Sequence, residues 1–464
     1  MTEKEIIAAI SDLASAGNWP VYLVGGYLRD RILHRACHDL DFVVEGDAII
    51  FARKVAKSLS LKPPVFYSRF GTAMFKSGKT TLEFATCRKE SYLAHSRKPK
   101  IVASELKDDL KRRDFTINAL ALSLKDGKMV DLFAGREDIK AQILRTPIDP
   151  DKTFFDDPLR MLRAVRFASR LNFVIHPQTE AAIIRNRERL KIVSRERIAD
   201  EFLRTMETTQ PVTGIVLLDH LQLLPLVLPE IENLKNVVAA DDRICKDVFR
   251  HTLIVLDRVS RRTKDPATRL AALFHDVGKP STQKFIPGEG WTFHDHPIKG
   301  ARIWLEVARR FNIGSPVREK VYKLIELHLR PHYLAGAGVN EEGASNRAIN
   351  HLVNDGGKYL KSLFILSAAD LTSKNTEKVR KGLSGIADLE KNVRQWKKEQ
   401  RAAIFKLAID GNEIMKLLEI KASPLVGKVK SELEGLVLDG EIPNRKRDLK
   451  KYLQDKKAQL VLLK

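Results

Sequence analysis

A change of sequence pattern near residue 147 constrains the fold of this 464-residue chain more than any other feature. Up to about Arg145, short apolar runs bounded by Gly, Lys or Asp alternate with helical patterns. The predicted strands are Val21–Val24, Leu40–Val44, Thr72–Phe75, Thr81–Ala85 and Met129–Leu132, and the predicted helices are Glu3–Ala16, Asp47–Leu59 and Phe115–Leu122. From Pro147 onward amphipathic helices dominate. We therefore predict an α+β fold, with a small mixed sheet and its helices as an N-terminal head, followed by an all-helical remainder.

The chain is strongly basic, with 81 Lys and Arg against 59 Asp and Glu and a net charge of +22. This excess is unusual for an enzyme of small neutral metabolites and favours a polyanionic partner, either nucleic acid or an anionic membrane surface. No apolar run reaches the roughly 18 residues of a transmembrane helix, and the charged N-terminus does not resemble a signal peptide. Cys37, Cys87 and Cys245 form no CxxC pair, so we expect a cytoplasmic protein with reduced thiols.

A glycine turn followed by two alternating carboxylates is the first candidate site. Gly25 and Gly26 separate a predicted strand from a helix, and their backbone can approach a phosphate and aim N–H groups at it. Arg29, one turn into the helix, can close on the same phosphate. Asp39 and Asp41 leave the same face of a strand, and such a pair suits Mg²⁺. A structural turn and a solvent-facing strand edge are the alternatives, but the combination favours nucleotidyl transfer.

The second candidate site is a predicted helix that follows Asp156 and Asp157. Its arginines recur at steps of three and four residues and form one cationic stripe, expected to lie against phosphates because no acids match it; they are Arg160, Arg163, Arg166 and Arg170. Asp157 and Arg160 can present an acceptor beside a donor, which complements adenine and cytosine but not guanine or uracil. An exposed helix face is the alternative. In the later segment 195–202, alternating charges are expected to pair within their helix.

Seven of the twelve histidines lie between His251 and His351. The order of His251, His275-Asp276 and Asp370 is similar to that of HD-type phosphohydrolases, and His296 and His328 lie where they can complete a second metal shell. Imidazole and carboxylate ligands bind transition metals, which activate water for attack on a phosphoester.

Together these motifs resemble one enzyme family. Gly25-Gly26-x-x-Arg29-Asp30 followed by Asp39-x-Asp41 resembles the nucleotidyltransferase signature of the DNA polymerase beta superfamily. More narrowly, the chain is similar to class II tRNA nucleotidyltransferases (CCA-adding) and bacterial poly(A) polymerases of the HD-domain-bearing type. Further sequence blocks that resemble those of this family are residues 111–120, 131–138, the loop 88–99 and residues 156–160. In the last block Asp156 replaces the Glu of the family's Glu-Asp-x-x-Arg motif.

The resemblance implies four domains. They are a nucleotidyltransferase head (1–145), a helical neck and body with base-reading and RNA-binding helices (146–240), an HD metal-binding domain (241–375) and a helical tail (376–464). It implies that Asp39 and Asp41 are catalytic and hold Mg²⁺. The implied nucleotide-binding residues are Gly25, Gly26, Arg29, Arg113, Asp114, Asn118, Asp157, Arg160, Arg163 and Arg166. The implied ligands of a further divalent transition metal are His251, His275, Asp276 and Asp370.

The activity implied by the resemblance is template-independent addition of C and A, as CCA, to the 3′ end of tRNA from CTP and ATP, with release of pyrophosphate. An A-adding or CC-adding enzyme or a poly(A) polymerase stays open, because the same Asp–Arg pair serves C or A. The loop 88–99 resembles one that CCA-adding members need for the final A, which argues against CC-only addition. From another class, an HD-type metal-dependent phosphodiesterase with a nucleotide-sensing head also stays open.

Overall fold

The computed structural model describes residues 1–67, 71–93, 96–239, 246–336, 344–373, 375–404, 407–438 and 441–457. Contacts between residues divide the chain into two compact units. The first is Met1–His328 with Thr372–Lys374, and the second is Leu329–Leu371 with Asn375–Lys464. The predicted domain boundary near Asp241 lies outside the described residues. In the described parts of the chain, no helix combines the length and the apolar character needed to cross a membrane.

The head consists of a mixed sheet and five helices. Its strands are β1 (Val21–Val24), β2 (Asp39–Val44), β3 (Val65–Tyr67), β4 (Thr72–Ser77), β5 (Thr80–Thr86), β6 (Arg88–Leu93), β7 (Ser96–Ala103), β8 (Leu120–Ser123), β9 (Met129–Asp131) and β10 (Ile143–Leu144). Its helices are α1 (Glu3–Ala16), α2 (Gly26–Ile32), α3 (Ala48–Ser58), α4 (Leu106–Lys111) and α5 (Gly135–Ala141). Seven strands form one sheet in the order β3-β4-β5-β2-β1-β8-β9, in which only β2 and β5 pair in parallel.

One face of this sheet is packed against helix α3, which orients the other face. The rings of Phe42 on β2 and Phe84 on β5 stack 4.8 Å apart, and Phe51 of α3 lies 5.8 Å from Phe84. All three side chains are fully buried. Because side chains alternate along a strand, Asp39 and Asp41 project from the face opposite Phe42. The apolar packing of α3 thus determines the direction of the two carboxylates.

The predicted helix Phe115–Leu122 is wrong. The structure has a short 3-10 turn at Thr116–Asn118, followed by strand β8 between β1 and β9. Leu120 and Ala121 are both fully buried. A strand that is buried on both faces lacks the alternation of a half-exposed strand, so periodicity alone cannot distinguish it from a buried helix. Pairing with two neighbouring strands decides the conformation here. The other predicted elements of the head are confirmed, with boundaries that agree within about two residues.

The chain beyond the head is mainly helical, which confirms the predicted α+β class. The first unit contains α6 (Pro150–Asp156), α7 (Leu159–Leu171), α8 (Pro177–Asn186), α9 (Arg195–Met206), α10 (Pro211–His220), α11 (Leu224–Val227), α12 (Pro229–Glu232), α13 (Val248–Arg262), α14 (Pro266–Phe274), α15 (Lys279–Thr282), α16 (His296–Arg310) and α17 (Ser315–Leu327). Its short strands are β11 (Val174–Ile175), β12 (Val238–Ala239), β13 (Lys246–Asp247), β14 (Lys284–Ile286) and β15 (Gly290–Thr292).

The second unit is described by helices alone. They are α18 (Arg330–Leu334), α19 (Asn346–Gly356), α20 (Leu360–Asp370), α21 (Thr376–Ile404), α22 (Gly411–Leu418), α23 (Pro424–Leu438) and α24 (Lys446–Asp455). The last three helices have a hydrophobic core of their own, formed by Ile409, Ile414, Leu418, Leu425, Val429, Leu433, Leu449 and Leu453.

Gly135→Ala is expected to destabilise the head. A Cβ at Gly135 would lie 2.3 Å from the carbonyl oxygen of Thr116, and backbone cannot retreat as a flexible side chain can. Overpacking of this kind costs about 1–3 kcal/mol, so thermal unfolding should shift down by roughly 3 °C or more. Gly314→Ala is the matched control, because its Cβ would meet only Pro316 Cδ, at 3.9 Å. Equal melting temperatures for the two variants would contradict this prediction.

Candidate active site

Three carboxylates line the open face of the sheet. Asp39 and Asp41 lie on β2, and Glu83 on β5 is the parallel-register partner of Asp41. Burial raises the pKa of Asp41 to about 6; repulsion from Glu83 and Asp39 adds to this rise, and Arg113 opposes it. A divalent cation would relieve this repulsion, and an all-oxygen donor set fits a hard ion such as Mg²⁺. The site residues therefore fit the predicted metal.

The glycine turn brings the backbone close to these carboxylates. Gly25 precedes α2 with φ +76° and ψ −139°, a conformation that side-chain-bearing residues rarely adopt. A Cβ at this position would lie 3.1 Å from Arg113 Nη1 and 3.5 Å from Asp41 Oδ2. The Gly25 turn, the Arg113 guanidinium and the Asp41 carboxylate therefore lie close together. Glycine is favoured at position 25 by this close approach and by the positive φ.

Arg113 and Arg29 both form hydrogen bonds within the protein, and Arg113 Nη1 donates to the carbonyl oxygen of Asn118, at 3.3 Å. Arg113 Nη2 lies 3.1 Å from Asp109 Oδ2, while its Nε is buried without a hydrogen-bond partner among the described residues. Arg29 donates through Nε and Nη2 to Asp30, at 2.8 and 2.9 Å, and through Nη1 to Asn118 Oδ1, at 2.6 Å. These contacts hold the helix α2 against the 3-10 turn.

Asp114 is the centre of a buried polar network. Its Oδ1 accepts hydrogen bonds from Phe115 N (2.8 Å) and Asn118 Nδ2 (2.9 Å), and its Oδ2 lies 2.6 Å from Arg163 Nη2. Burial opposes ionisation, but the Arg163 guanidinium and the Asn118 amide outweigh it and lower the pKa of Asp114 to about 2. The carboxylate is therefore a fixed negative charge that ties α7 to the head.

Three of the four arginines of the stripe on α7 have acidic partners, which corrects the expectation of an unmatched stripe. Arg166 Nε lies 2.5 Å from Glu201 Oε2, and Arg170 Nη2 lies 3.4 Å from Asp30 Oδ2. Arg163 pairs with Asp114, as described above. The partners come from α2, α9 and the segment before the 3-10 turn, and they lie 35 to 140 positions away in sequence. Helical periodicity identified the arginines but cannot identify partners on other elements.

Arg160 and Asp157 have backbone and cross-helix contacts. Arg160 Nη2 donates to the carbonyl oxygen of Arg112, at 2.5 Å. Asp157 Oδ1 accepts from Leu159 N at the start of α7, and its Oδ2 lies 3.4 Å from Arg197 Nη2 on α9. The expectation that the charges of segment 195–202 pair within their helix is therefore wrong for Arg197 and Glu201, whose partners lie on other elements. The alternating charges of the segment do not indicate towards which element the side chains of Arg197 and Glu201 point.

All the residues predicted for the nucleotide site except Gly25 line one cavity of 710 Å³. Its lining includes Gly26, Arg29, Asp39, Asp41, Arg113, Asp114, Asn118, Asp157, Arg160, Arg163 and Arg166. It also includes Glu83, Arg197 and Arg204, together with Arg88 of the loop 88–99 and Arg170 of the arginine stripe. Acids from the sheet and guanidinium groups from α7 and α9 face the same space. That space suits an anionic ligand that carries a metal ion at one end.

A second polar cluster lies between α14, α16 and the end of α17. Candidate ligand atoms of Asp276, His296 and His328 lie within 4.8 Å of one another, and His251 Nε2 is 3.2 Å from His275 Nε2. Although burial opposes ionisation, His275 and Lys279 hold the pKa of Asp276 well below its usual value. Imidazole and carboxylate donors fit a divalent transition metal.

Asp370, the last predicted ligand of the HD site, belongs to the second unit. Its Oδ2 lies 3.3 Å from His332 Nε2 there. Its role as a metal ligand stays a prediction.

The sequence is similar to those of known protein families and individual proteins. Residues 21–145 match the family described as "Poly A polymerase head domain", residues 172–235 that described as "Probable RNA and SrmB- binding site of polymerase A", and residues 248–374 the "HD domain". Over 320 residues the chain is 33% identical to the "Multifunctional CCA protein" of Methylococcus capsulatus, which covers 66% of this chain and 71% of that protein. Over 347 residues it is 30% identical to the "A-adding tRNA nucleotidyltransferase" of Deinococcus radiodurans, with 73% and 76% covered.

The chain belongs to the tRNA nucleotidyltransferase family. This confirms the resemblance stated from its motifs. A crystal structure of a tRNA nucleotidyltransferase complexed with a primer tRNA and an incoming ATP analog has the same fold, with a TM-score of 0.60, 24% identity, and coverage of 82% of this chain and 99% of that chain. Three other curated family members, 38 to 43% identical, are matched over only 24%, 48% and 53% of their own length. The chain thus spans about a quarter to a half of these relatives.

Within this tRNA nucleotidyltransferase framework, Asp114→Asn should destabilise the protein in a pH-dependent way. A folded-state pKa of about 2 lies below the ordinary aspartate value of 3.8, so the ionised carboxylate contributes roughly 2 kcal/mol above pH 5. This contribution is lost as the pH falls through 4 towards 2. Urea unfolding of wild type and variant should therefore differ most at pH 7, and the difference should narrow by pH 3. A difference that is constant with pH would contradict the prediction.

Proposed function

We propose that this chain is a template-independent RNA nucleotidyltransferase of the cytoplasm that adds C and A, as CCA, to the 3′ end of tRNA from CTP and ATP. The observation that carries the proposal is the single cavity lined both by Asp39 and Asp41 and by Asp157 and Arg160. One nucleoside triphosphate in this cavity can meet the carboxylates with its phosphates and α7 with its base. The relatives of this chain include a CCA-adding enzyme and an A-adding tRNA nucleotidyltransferase, which supports nucleotide addition to tRNA as the reaction class.

In this proposal, different groups of the protein bind different parts of the nucleotide. The backbone of Gly25 and Gly26 and the Arg113 guanidinium bind the triphosphate by charge-assisted contacts. Asp39 and Asp41 hold Mg²⁺, which neutralises charge on the reacting phosphate when bound. The tRNA 3′-hydroxyl attacks the α-phosphate in line, a bond to the α-phosphorus forms, and pyrophosphate leaves.

The base is selected by hydrogen-bond polarity. Asp157 accepts from the exocyclic amine of adenine or cytosine, and Arg160 donates to the neighbouring ring nitrogen. Guanine or uracil would leave these groups unpaired. Asn118 and Arg163 keep Asp114 ionised beside the nucleotide, and we propose that this carboxylate accepts from a ribose hydroxyl.

The second cluster is proposed to bind a divalent transition metal through Asp276, His296 and His328. Lys279 Nζ lies 2.6 Å from Asp276 Oδ2 and would have to yield to a cation at that oxygen. Nothing in nucleotide addition as proposed requires this metal, since the residues invoked for transfer line the other cavity, apart from Gly25, which is the neighbour of the lining residue Gly26.

The decisive experiment compares two variants on tRNA transcripts that end before, within and at CCA. Wild type is expected to incorporate C and A from each NTP alone and in mixtures, as sequencing of the 3′ ends would measure. Asp41→Asn should reduce incorporation by roughly 10³-fold or more, because it removes one of the paired metal carboxylates. His275→Ala should leave incorporation unchanged.

The same data separate the alternatives. Incorporation of A alone would identify an A-adding enzyme. No incorporation of C or A on any transcript would contradict the proposal. Loss of a phosphoesterase activity in His275→Ala, with Asp41→Asn unaffected, would favour the HD-type phosphodiesterase.

Base selection is tested by Asp157→Ala, with Asp156→Ala as the neighbouring control. Loss of the acceptor should lower kcat/KM for CTP and ATP by about 10- to 100-fold and narrow the preference over UTP and GTP. Asp156→Ala should retain discrimination, because Asp156 is not among the residues that line the cavity. Melting temperatures of both variants exclude unfolding as the cause. Equal discrimination in the two variants would argue against Asp157 as a base reader.

A further inference from the structure

An exposed aromatic ring is stacked against a guanidinium group at the end of α6. Arg189 Cζ lies 3.8 Å from the centre of the Phe155 ring, and Arg189 Nη2 donates to the Phe155 carbonyl oxygen, at 2.9 Å. Phe155 is 38% exposed, although it is a large apolar side chain. The guanidinium group therefore covers one face of the ring, and the rest of the Phe155 side chain remains partly accessible to solvent.

The surroundings of this pair are strongly cationic. Between positions 185 and 197 the chain has six Lys and Arg residues against Glu188 and Glu196. Arg185 pairs with Asp151 at 2.6 Å and Lys191 with Glu188 at 2.6 Å, and both cations remain more than half exposed. An accessible aromatic–guanidinium surface within a cationic segment is the combination with which proteins bind single-stranded nucleic acid: the bases stack and the phosphates meet the cations.

The pair lies outside the nucleotide cavity but close to it along the chain. Neither Phe155 nor Arg189 lines the cavity, whereas Asp157, two residues after Phe155, does. A base on this surface is therefore not the incoming nucleotide.

We propose that Phe155 and Arg189 form a stacking platform for an unpaired base of the RNA strand near its 3′ end. The inference rests on the proposed function, since it requires that an RNA strand be the acceptor. The base stacks on the platform through its π-face, which every base has, so the contact is tolerant of sequence. This suits an acceptor whose last unpaired nucleotides change after each addition.

A purely structural role for the contact makes a different prediction. Arg189 caps a carbonyl group in the last turn of α6, where such groups lack intrahelical partners. That role explains the position of the guanidinium group but does not require an exposed phenyl ring. If it were the whole role, removal of the ring would leave RNA affinity unchanged.

The test measures binding of a fluorescently labelled tRNA transcript that lacks CCA, by anisotropy and without nucleotides. Phe155→Leu should weaken binding by about 5- to 100-fold, the range expected for loss of one stacked base. Phe155→Trp keeps an aromatic ring at this position and should bind the transcript with an affinity close to that of wild type. Arg185→Gln removes a cation from the same segment without touching the platform, and should give only a small, salt-dependent loss.

A second measurement pairs each protein with transcripts that have one abasic nucleotide at successive positions near the 3′ end. At one abasic position, wild type should bind the transcript as weakly as Phe155→Leu binds the intact transcript. Phe155→Leu should bind that abasic transcript and the intact transcript with equal affinity. This non-additivity identifies the stacked base, and a structural defect would not produce it. Equal affinities of wild type and Phe155→Leu, or fully additive losses, would overturn the proposal.

Failure of this inference can be distinguished from failure of the proposed function. If wild type adds nucleotides and Phe155→Leu adds them with an unchanged KM for tRNA, only the platform is refuted. If wild type adds none, the nucleotidyltransferase proposal itself fails. The KM for ATP should be unchanged in Phe155→Leu, because the platform does not contact the incoming nucleotide.

Discussion

The cavity between the sheet and α7 depends on buried pairs between arginines of α7 and carboxylates of other elements. Asp114 binds Arg163 from the head side, and Glu201 binds Arg166 from α9. Both acids are almost completely buried. Breaking such a pair from one side leaves an uncompensated charge in the interior, which costs far more than the intact pair contributes. The sheet, α7 and α9 are therefore held in one arrangement, and the cavity between them is preformed.

This arrangement also gives the cavity two electrostatic ends. Asp39, Asp41 and Glu83 make the sheet side acidic, and burial, with a smaller contribution from repulsion by Glu83 and Asp39, raises the pKa of Asp41. The opposite side carries guanidinium groups whose charges are partly offset by the buried acids. A metal-bearing triphosphate complements both ends, because its cation faces the carboxylates and its phosphate oxygens face the guanidinium groups. Neither end alone would distinguish a nucleotide from another anion.

Much of the fold and the site could be predicted from sequence, for identifiable physical reasons. Helix α1 is signalled by its periodicity and begins with a capping box between Thr2 and Glu5, so its boundaries are local information. Gly25-Gly26 and the alternating aspartates are also local patterns. By contrast, β8 is defined by its neighbours in the sheet, Arg197 pairs with Asp157 just before α7, and Glu201 pairs with Arg166 on α7. Such features depend on tertiary packing, which neither propensity nor charge pattern encodes.

The parallel pairing of β2 and β5 has a consequence for how this family can vary. Asp41 faces Glu83 only because β5 is held in one register, and that register is set by the two-residue turn Gly78-Lys79 that joins it to β4. A single inserted residue there would slip β5 and turn Glu83 towards the phenylalanine side of the sheet. Length changes should therefore accumulate in the connection before β3, whereas this hairpin tip, remote in sequence from Asp39 and Asp41, should keep its length across species.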